Sequence, residues 1–102
     1  MTCFLLLFSS TDVSLFVAID CEMDQSHGKN YICKISIVDE EGQILFDTLV
    51  NPEVEITYSL YRIHGIRSEW LNNAPTLPLV KDHVTKVFGN CIFVGHGVRH
   101  DL

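Results

Sequence analysis

The stretch FVAIDCEM, residues 16–23, decides the fold, because in it an apolar run ends in two acids. Leu15–Ile19 are all apolar, which is typical of a strand that is buried on both faces. Asp20 and Glu22 follow directly, and alternate residues of a strand point to the same side. The two carboxylates therefore share a face, and Cys21 points to the other one. A buried, unpaired carboxylate is costly, and a divalent cation between the two relieves both the burial and their mutual repulsion.

These acids predict a site for Mg²⁺ or Mn²⁺, since a ligand set made only of oxygens suits these ions better than zinc. A third acid, Asp101, follows a second apolar strand through the glycine-flanked turn at residues 95–97. Sites gather where neighbouring parallel strands end, so we expect Asp101 to join Asp20 and Glu22 in an acidic cluster. Two alternatives stay open: the D-x-E pair is a solvated strand end, or Asp101 caps its own helix.

The chain around this stretch predicts a meander of three antiparallel strands. Runs rich in β-branched and aromatic residues are separated by polar, glycine-containing turns. The strands are expected at residues 14–22, 31–38 and 43–50, with turns at 24–30 and 39–42. Asn51-Pro52 stops the third strand.

The pattern then becomes helical. A short helix is expected from a cap at Thr57 to a stop at Gly65, a further helical turn begins at Ser68, and a longer helix follows Pro75 and ends near Gly89. One more apolar strand follows at 91–95. The expected fold class is α/β, a mixed sheet in which the meander leads through helices to a parallel strand.

Composition limits the possible settings of the chain. Its 102 residues allow one small domain, and 47% apolar residues suffice for a packed core. The seven Lys and Arg residues are scattered within a net charge of -6, so a contact with nucleic acid needs metal ions to offset the acids. No apolar stretch is long enough to span a membrane.

The cysteines and the N-terminus indicate where the chain works. The four cysteines form no C-x-x-C pair, which favours free thiols in a reducing, intracellular compartment, the nucleus or the cytoplasm. Residues 1–13 are interpreted as an N-terminal extension or an extra strand. A weak signal peptide is the less favoured alternative, because no basic residue precedes the short apolar run.

Three segments resemble one enzyme family. AIDCEM (18–23) and VGHGVRHDL (94–102) resemble the first two motifs of the DnaQ-like exonucleases of the DEDDh type, and DCEM is most similar to the Rex-type and interferon-stimulated RNA exonucleases. RIHGIRSEWLNNAPTL (62–77) resembles the linking region of the broader superfamily. The resemblance implies an RNase H-like fold and 3′-to-5′ hydrolysis of nucleic acid with two metal ions, Mg²⁺ or Mn²⁺.

The resemblance also implies a role for each matching residue. Asp20 matches the acid that bridges both metal ions, and Glu22 matches the acid on the ion that activates water. Asp101 matches the acid of the second motif, and Met23 lies where the family contacts the terminal nucleotide. The implied partner is the 3′ end of a single-stranded nucleic acid, RNA more than DNA, with no membrane involved.

The family's third motif, a general-base His followed five residues later by an Asp, is expected to lie past Leu102. We therefore expect residues 14–102 to form an exonuclease domain without its C-terminal part. Two functions stay open: a truncated exonuclease, or a non-catalytic fragment that keeps the fold and binds nucleic acid weakly. His64 is interpreted as a helix-end residue, and His96 with His100 as no zinc site, because Gly97 stands where a zinc-binding helix carries Glu.

Overall fold

The computed structural model describes the backbone of residues 2–8, 14–88 and 90–94 and the side chains of residues 18–87. In this part of the chain four strands come first, the helices follow, and a fifth strand comes last. The strands are β1 (Thr2–Phe8), β2 (Ser14–Ser26), β3 (Lys29–Val38), β4 (Ile44–Leu49) and β5 (Asn90–Val94). Between β4 and β5 lie helix α1 (Tyr61–His64), a 3₁₀ segment (Ser68–Asn73) and helix α2 (Leu77–Phe88).

The antiparallel meander of β2, β3 and β4 is confirmed. The turn predicted at residues 24–30 is wrong, because β2 continues to Ser26 and the hairpin reverses at His27 and Gly28 alone. Both turn residues have positive φ, 50° and 81°, which matches the right-handed twist of the flanking strands. Asp24 consequently lies inside a strand, and its side chain is fixed by the sheet.

A bulge in β3 changes which side chains face the main core, the buried cluster of Ile19, Cys21, Ile32, Ile35, Ile37, Val50, Val80 and Val84. Glu22 pairs with Lys34 and Met23 pairs with Ile32, so Cys33 has no partner in β2. Ile32 and Ile35 therefore both face the main core, whereas Cys33 packs in a second cluster with Ile66 and Leu71. The bulge thus places a cysteine on the face of the sheet that carries the acids of β2.

Helix α2 covers the main core through one side. Val80 and Val84, one turn apart, are buried against the isoleucines of β2 and β3, while Leu79 and Val87 are exposed. Helix α1 ends as predicted at Gly65, whose φ of 74° is the left-handed conformation that glycine adopts readily. The predicted cap at Thr57 is wrong, because the Thr57 hydroxyl instead accepts the backbone N–H of His27.

The sheet order is β4-β3-β2-β1-β5. β1 pairs antiparallel with both β2 and β5, so the parallel pairing predicted for the last strand is not confirmed. The physical reason is the apolar N-terminal segment, which supplies β5 with an antiparallel neighbour. Phe4 pairs with both Ala18 and Val94, which places β5 level with the start of the acidic stretch and in the same direction as β2.

Of the two interpretations for residues 1–13, the strand at Thr2–Phe8 agrees with the extra strand. The domain boundary at residue 14 stays a prediction. Among the helices of the described part of the chain, none combines the length and the apolar character that crossing a bilayer requires.

Candidate functional site

The structure places Asp20 and Glu22 where the strand alternation predicts them. Cys21 between them is 2% exposed and packs in the main core. The two carboxylates therefore lie on the opposite face of β2, where Asp20 is exposed and Glu22 is half-buried. Both side chains are accessible from solvent, which a hydrolytic site requires.

Polar residues of β3 and β4 stand beside this pair. Ser36 is opposite Asp20 in the sheet, and Lys34 is opposite Glu22. In β4, Asp47 accepts a hydrogen bond from the Ser36 hydroxyl at 2.7 Å, and its Oδ1 lies 3.8 Å from the Lys34 Nζ. Lys34 thus has a carboxylate neighbour within the sheet, and this face of the meander is polar across three strands.

A cleft of about 260 Å³ opens beside Glu22. Glu22 supplies the only carboxylate among the described residues that line it, whereas Cys21 and Met23 belong to or pack against the main core. The residues that line it are Cys21, Glu22, Met23, Asn30, Leu60, Ile63 and His64. Of the four residues that the sequence singled out, the structure therefore brings Glu22 and Met23 into one cleft, which we name the Glu22–Met23 cleft.

Asp24 is the residue that sequence reasoning missed. It is 0% exposed, and its Oδ1 accepts hydrogen bonds from the Leu60 N–H at 2.8 Å and from the His64 Nε2 at 2.7 Å. Its Oδ2 is buried without a hydrogen-bond partner among the described residues. The strand alternation continues from Asp20 through Glu22 to Asp24, and this continuation was the signal that could have found it.

His64 links helix α1 to this buried acid. Its side chain is 1% exposed, and its Nδ1 accepts the backbone N–H of Ile66 at 3.0 Å. Since Nδ1 is an acceptor, the ring proton sits on Nε2 and is donated to Asp24. The imidazole is therefore neutral and serves as an anchor at the end of α1, which confirms its interpretation as a helix-end residue.

Cys33 completes a buried group whose chemistry resembles a metal site. Asp24, Cys33 and His64 each offer one donor atom, and these three atoms lie within 4.8 Å of one another. Burial, together with the negative charge of Asp24, raises the pKa of the Cys33 thiol to about 12, so the sulfur stays protonated. A histidine that binds metal normally donates its second N–H, whereas the Nδ1 of His64 is an acceptor. These three residues do not fit a resident metal ion.

Comparison with known proteins identifies the family. Residues 17–102 match the family model RNase_T, which describes exonucleases. The chain belongs to this exonuclease family. The resemblance of its motifs to RNA exonucleases is thereby confirmed, and the antiparallel meander with its helices is the described part of an exonuclease domain of the RNase H-like superfamily.

Several curated relatives are similar to this chain over most of its length. RNA exonuclease 4 of Mycosarcoma maydis is 29% identical over 90 residues, which cover 85% of the chain and 24% of the relative. The interferon-stimulated 20 kDa exonuclease-like 2 of Bos taurus is 32% identical over 89 residues, covering 84% and 26%. The chain thus spans about a quarter of the length of these relatives. No solved structure matches it.

Exonucleases of this family generally use divalent metal ions, and two acids among the described residues have a donor chemistry that fits such ions. Asp20 and Glu22 present only carboxylate oxygens on an accessible face, the donor chemistry that Mg²⁺ and Mn²⁺ prefer. Asp101, the third predicted ligand, lies outside the described residues. The strand before it, β5, is separated from β2 by β1, and two strand spacings amount to about 9.6 Å.

Proposed function

We propose that this chain belongs to a metal-dependent exoribonuclease that removes nucleotides from the 3′ end of single-stranded RNA. The observation that carries the proposal is the placement of Asp20 and Glu22 on one accessible face of β2, with Glu22 lining a cleft. Family membership supports the hydrolytic chemistry, and the names of the relatives, RNA exonuclease 4 among them, support RNA as the substrate.

In this proposal each acid has a separate task. Asp20 would hold both of two ions, Mg²⁺ or Mn²⁺, Glu22 would hold the one that activates water, and Asp101 would complete the ligand set. Ions held by these acids would supply charge stabilisation for the oxygens that react in the hydrolysis of a phosphodiester. Met23, at the wall of the cleft, would contact the terminal nucleotide.

The proposed substrate is a short or single-stranded 3′ end, since the basic residues are too scattered to follow a long duplex. RNA is favoured over DNA on the names of the relatives. An intracellular setting, in the nucleus or the cytoplasm, is proposed from the sequence, in which the four cysteines form no C-x-x-C pair.

One observation favours a second function, a non-catalytic domain that binds nucleic acid weakly. β1 lies between β2 and β5, so the strand that leads to Asp101 is not adjacent to the strand that carries Asp20 and Glu22. Sites gather where adjacent parallel strands end, and this order does not provide that adjacency for β2 and β5.

Hydrolysis of end-labelled RNA distinguishes the two functions. A single-stranded RNA with a 5′ label is incubated with Mn²⁺ and either the 102-residue chain or a chimera that adds a C-terminal half of the family type. The exonuclease proposal expects the chimera to shorten the RNA one nucleotide at a time, and a 3′-phosphate end to slow it. The 102-residue chain alone should be slower by about 10²-fold or more, since a positioned general base contributes at least that much. Internal cuts, or no cleavage by either protein, would contradict the proposal.

A further inference from the structure

The segment from Tyr58 to Ile63 carries an exposed aromatic surface that the proposed chemistry does not use. Tyr58 is 60% exposed, Tyr61 is 42% exposed and Ile63 is 77% exposed. Residues 58–63 together line a cavity of about 390 Å³, and we name them the tyrosine platform. Large exposed side chains gathered in one short segment indicate a binding surface.

The tyrosine platform is continuous with the candidate active site. Leu60 and Ile63 line the platform cavity and also line the Glu22–Met23 cleft. These two residues are thus common to the cleft that Glu22 lines and to the cavity that Tyr58 and Tyr61 line. The Glu22–Met23 cleft and the tyrosine platform are therefore neighbouring surfaces.

Two arginines give the platform a positive charge. The Arg67 guanidinium lies 4.9 Å from the centre of the Tyr61 ring, and its Nη2 donates to the Tyr61 hydroxyl at 3.4 Å. Arg62 lines the platform cavity. Within residues 18–87, neither arginine forms an ion pair with a carboxylate. Both charges are thus available to phosphates in a protein of net charge -6.

The platform is held in place before any ligand arrives. The backbone of Tyr58 exchanges two hydrogen bonds with Gln25 of β2, at 3.0 and 3.1 Å. Two residues on, the Leu60 N–H donates to the buried carboxylate of Asp24, to which His64 is also anchored. Because the sheet fixes both ends of the platform, binding a ligand requires little further ordering of the chain.

We propose that the tyrosine platform binds the nucleotides that precede the 3′ end of a single-stranded RNA. Bases stack on Tyr58 and Tyr61, and Arg62 and Arg67 contact the phosphates between them. Exposed aromatic rings beside unpaired arginines are the combination that recognises single strands. The direction of the strand, with its 3′ end in the Glu22–Met23 cleft, rests on the proposed function.

Fluorescence anisotropy of 5′-labelled oligoribonucleotides, measured in EDTA to prevent metal-dependent hydrolysis, tests the platform. Tyr61→Ala is expected to weaken binding of a six-nucleotide RNA by at least about fivefold, the lower bound for losing one stacked base. Tyr61→Phe keeps the ring and should bind within about twofold of the wild type. The matched control is Trp70→Ala, which removes another exposed aromatic, 51% exposed, outside the platform and should change nothing.

Salt dependence supplies a second, independent readout. Arg67→Ala should lower the slope of log K against log salt concentration by about 0.7, the contribution of one phosphate contact on a single strand. Lys86→Ala, which removes a cation already paired with Asp82, should leave the slope unchanged. Equal effects of the platform and control variants, or no RNA binding by the folded wild type, would overturn the proposal. So would a dimer that Tyr61→Ala dissociates, since a second copy would then occupy the platform.

The platform and the proposed function fail separately. If RNA binding depends on Tyr61 but the protein never hydrolyses RNA, the platform is supported and the proposed exonuclease function is contradicted. Conversely, the protein could hydrolyse RNA from the 3′ end while substitutions of Tyr61 and Arg67 leave its RNA affinity unchanged. That result would support the exonuclease and overturn the platform.

Discussion

Asp20→Asn is expected to lower the rate of RNA hydrolysis by about 10³-fold or more in the chimera that carries a C-terminal half of the family type. Asn keeps the shape of the side chain but removes the charge that would hold the ions. Charge stabilisation by a bound ion is worth several kcal/mol in the transition state, and each ~1.36 kcal/mol is a factor of ten in rate. The fold should be unchanged, because Asp20 is exposed.

Initial rates at saturating RNA and Mn²⁺ measure this effect. Asp82→Asn is the matched control, since it removes an exposed carboxylate of α2 that pairs with Lys86. Asp82→Asn should hydrolyse RNA at the wild-type rate, and Glu22→Gln should be as slow as Asp20→Asn. An Asp20→Asn variant within a few-fold of the wild type would show that the ions, if used, bind elsewhere.

The largest effect on stability is expected at Asp24. Asp24→Ala removes the acceptor of two hydrogen bonds and leaves the N–H of Leu60 and the Nε2–H of His64 without partners at a buried position. Each donor left without a partner costs about 1–3 kcal/mol, so the free energy of unfolding should fall by about 2–6 kcal/mol. The measurement is urea unfolding followed by circular dichroism.

Asp24→Asn and Asp82→Ala are the comparison variants for this loss. Asn retains one acceptor oxygen and removes a buried charge, so its cost should be clearly smaller than that of Ala. Asp82→Ala, at an exposed helix position, should change the free energy of unfolding by less than about 0.5 kcal/mol. If Asp24→Ala and Asp82→Ala have the same free energy of unfolding, the hydrogen bonds of Asp24 between β2 and α1 do not stabilise the fold.

The meander was predictable because its signals are local. Runs rich in β-branched and aromatic residues between polar turns suffice to place β3 and β4 to within two residues. The position of β1 was not predictable in the same way. A short apolar segment at an N-terminus is compatible with several structures, and only its pairing with β5, at the far end of the chain, settles that it lies between β2 and β5.

The same difference between local and distant contacts explains which residues of the candidate site were predicted. Asp20 and Glu22 were found because they are two residues apart on one strand, and the rule that relates them needs no distant contact. Asp24 was missed because the polar residues after it resemble a turn, whereas a two-residue turn was enough. Its burial depends on Leu60 and His64, which lie 36 and 40 residues further along the chain.

Titration with Mn²⁺, followed by the loss of the electron paramagnetic resonance signal of the free ion, tests most directly whether Asp20 and Glu22 hold a divalent cation. The 102-residue chain should bind Mn²⁺ saturably and weakly. Asp20→Asn and Glu22→Gln should each raise the Kd by about tenfold or more, because affinity follows the number of charged ligands, while Asp82→Asn should match the wild type. Equal affinity in all four proteins would contradict the assignment of the metal site to this face of β2.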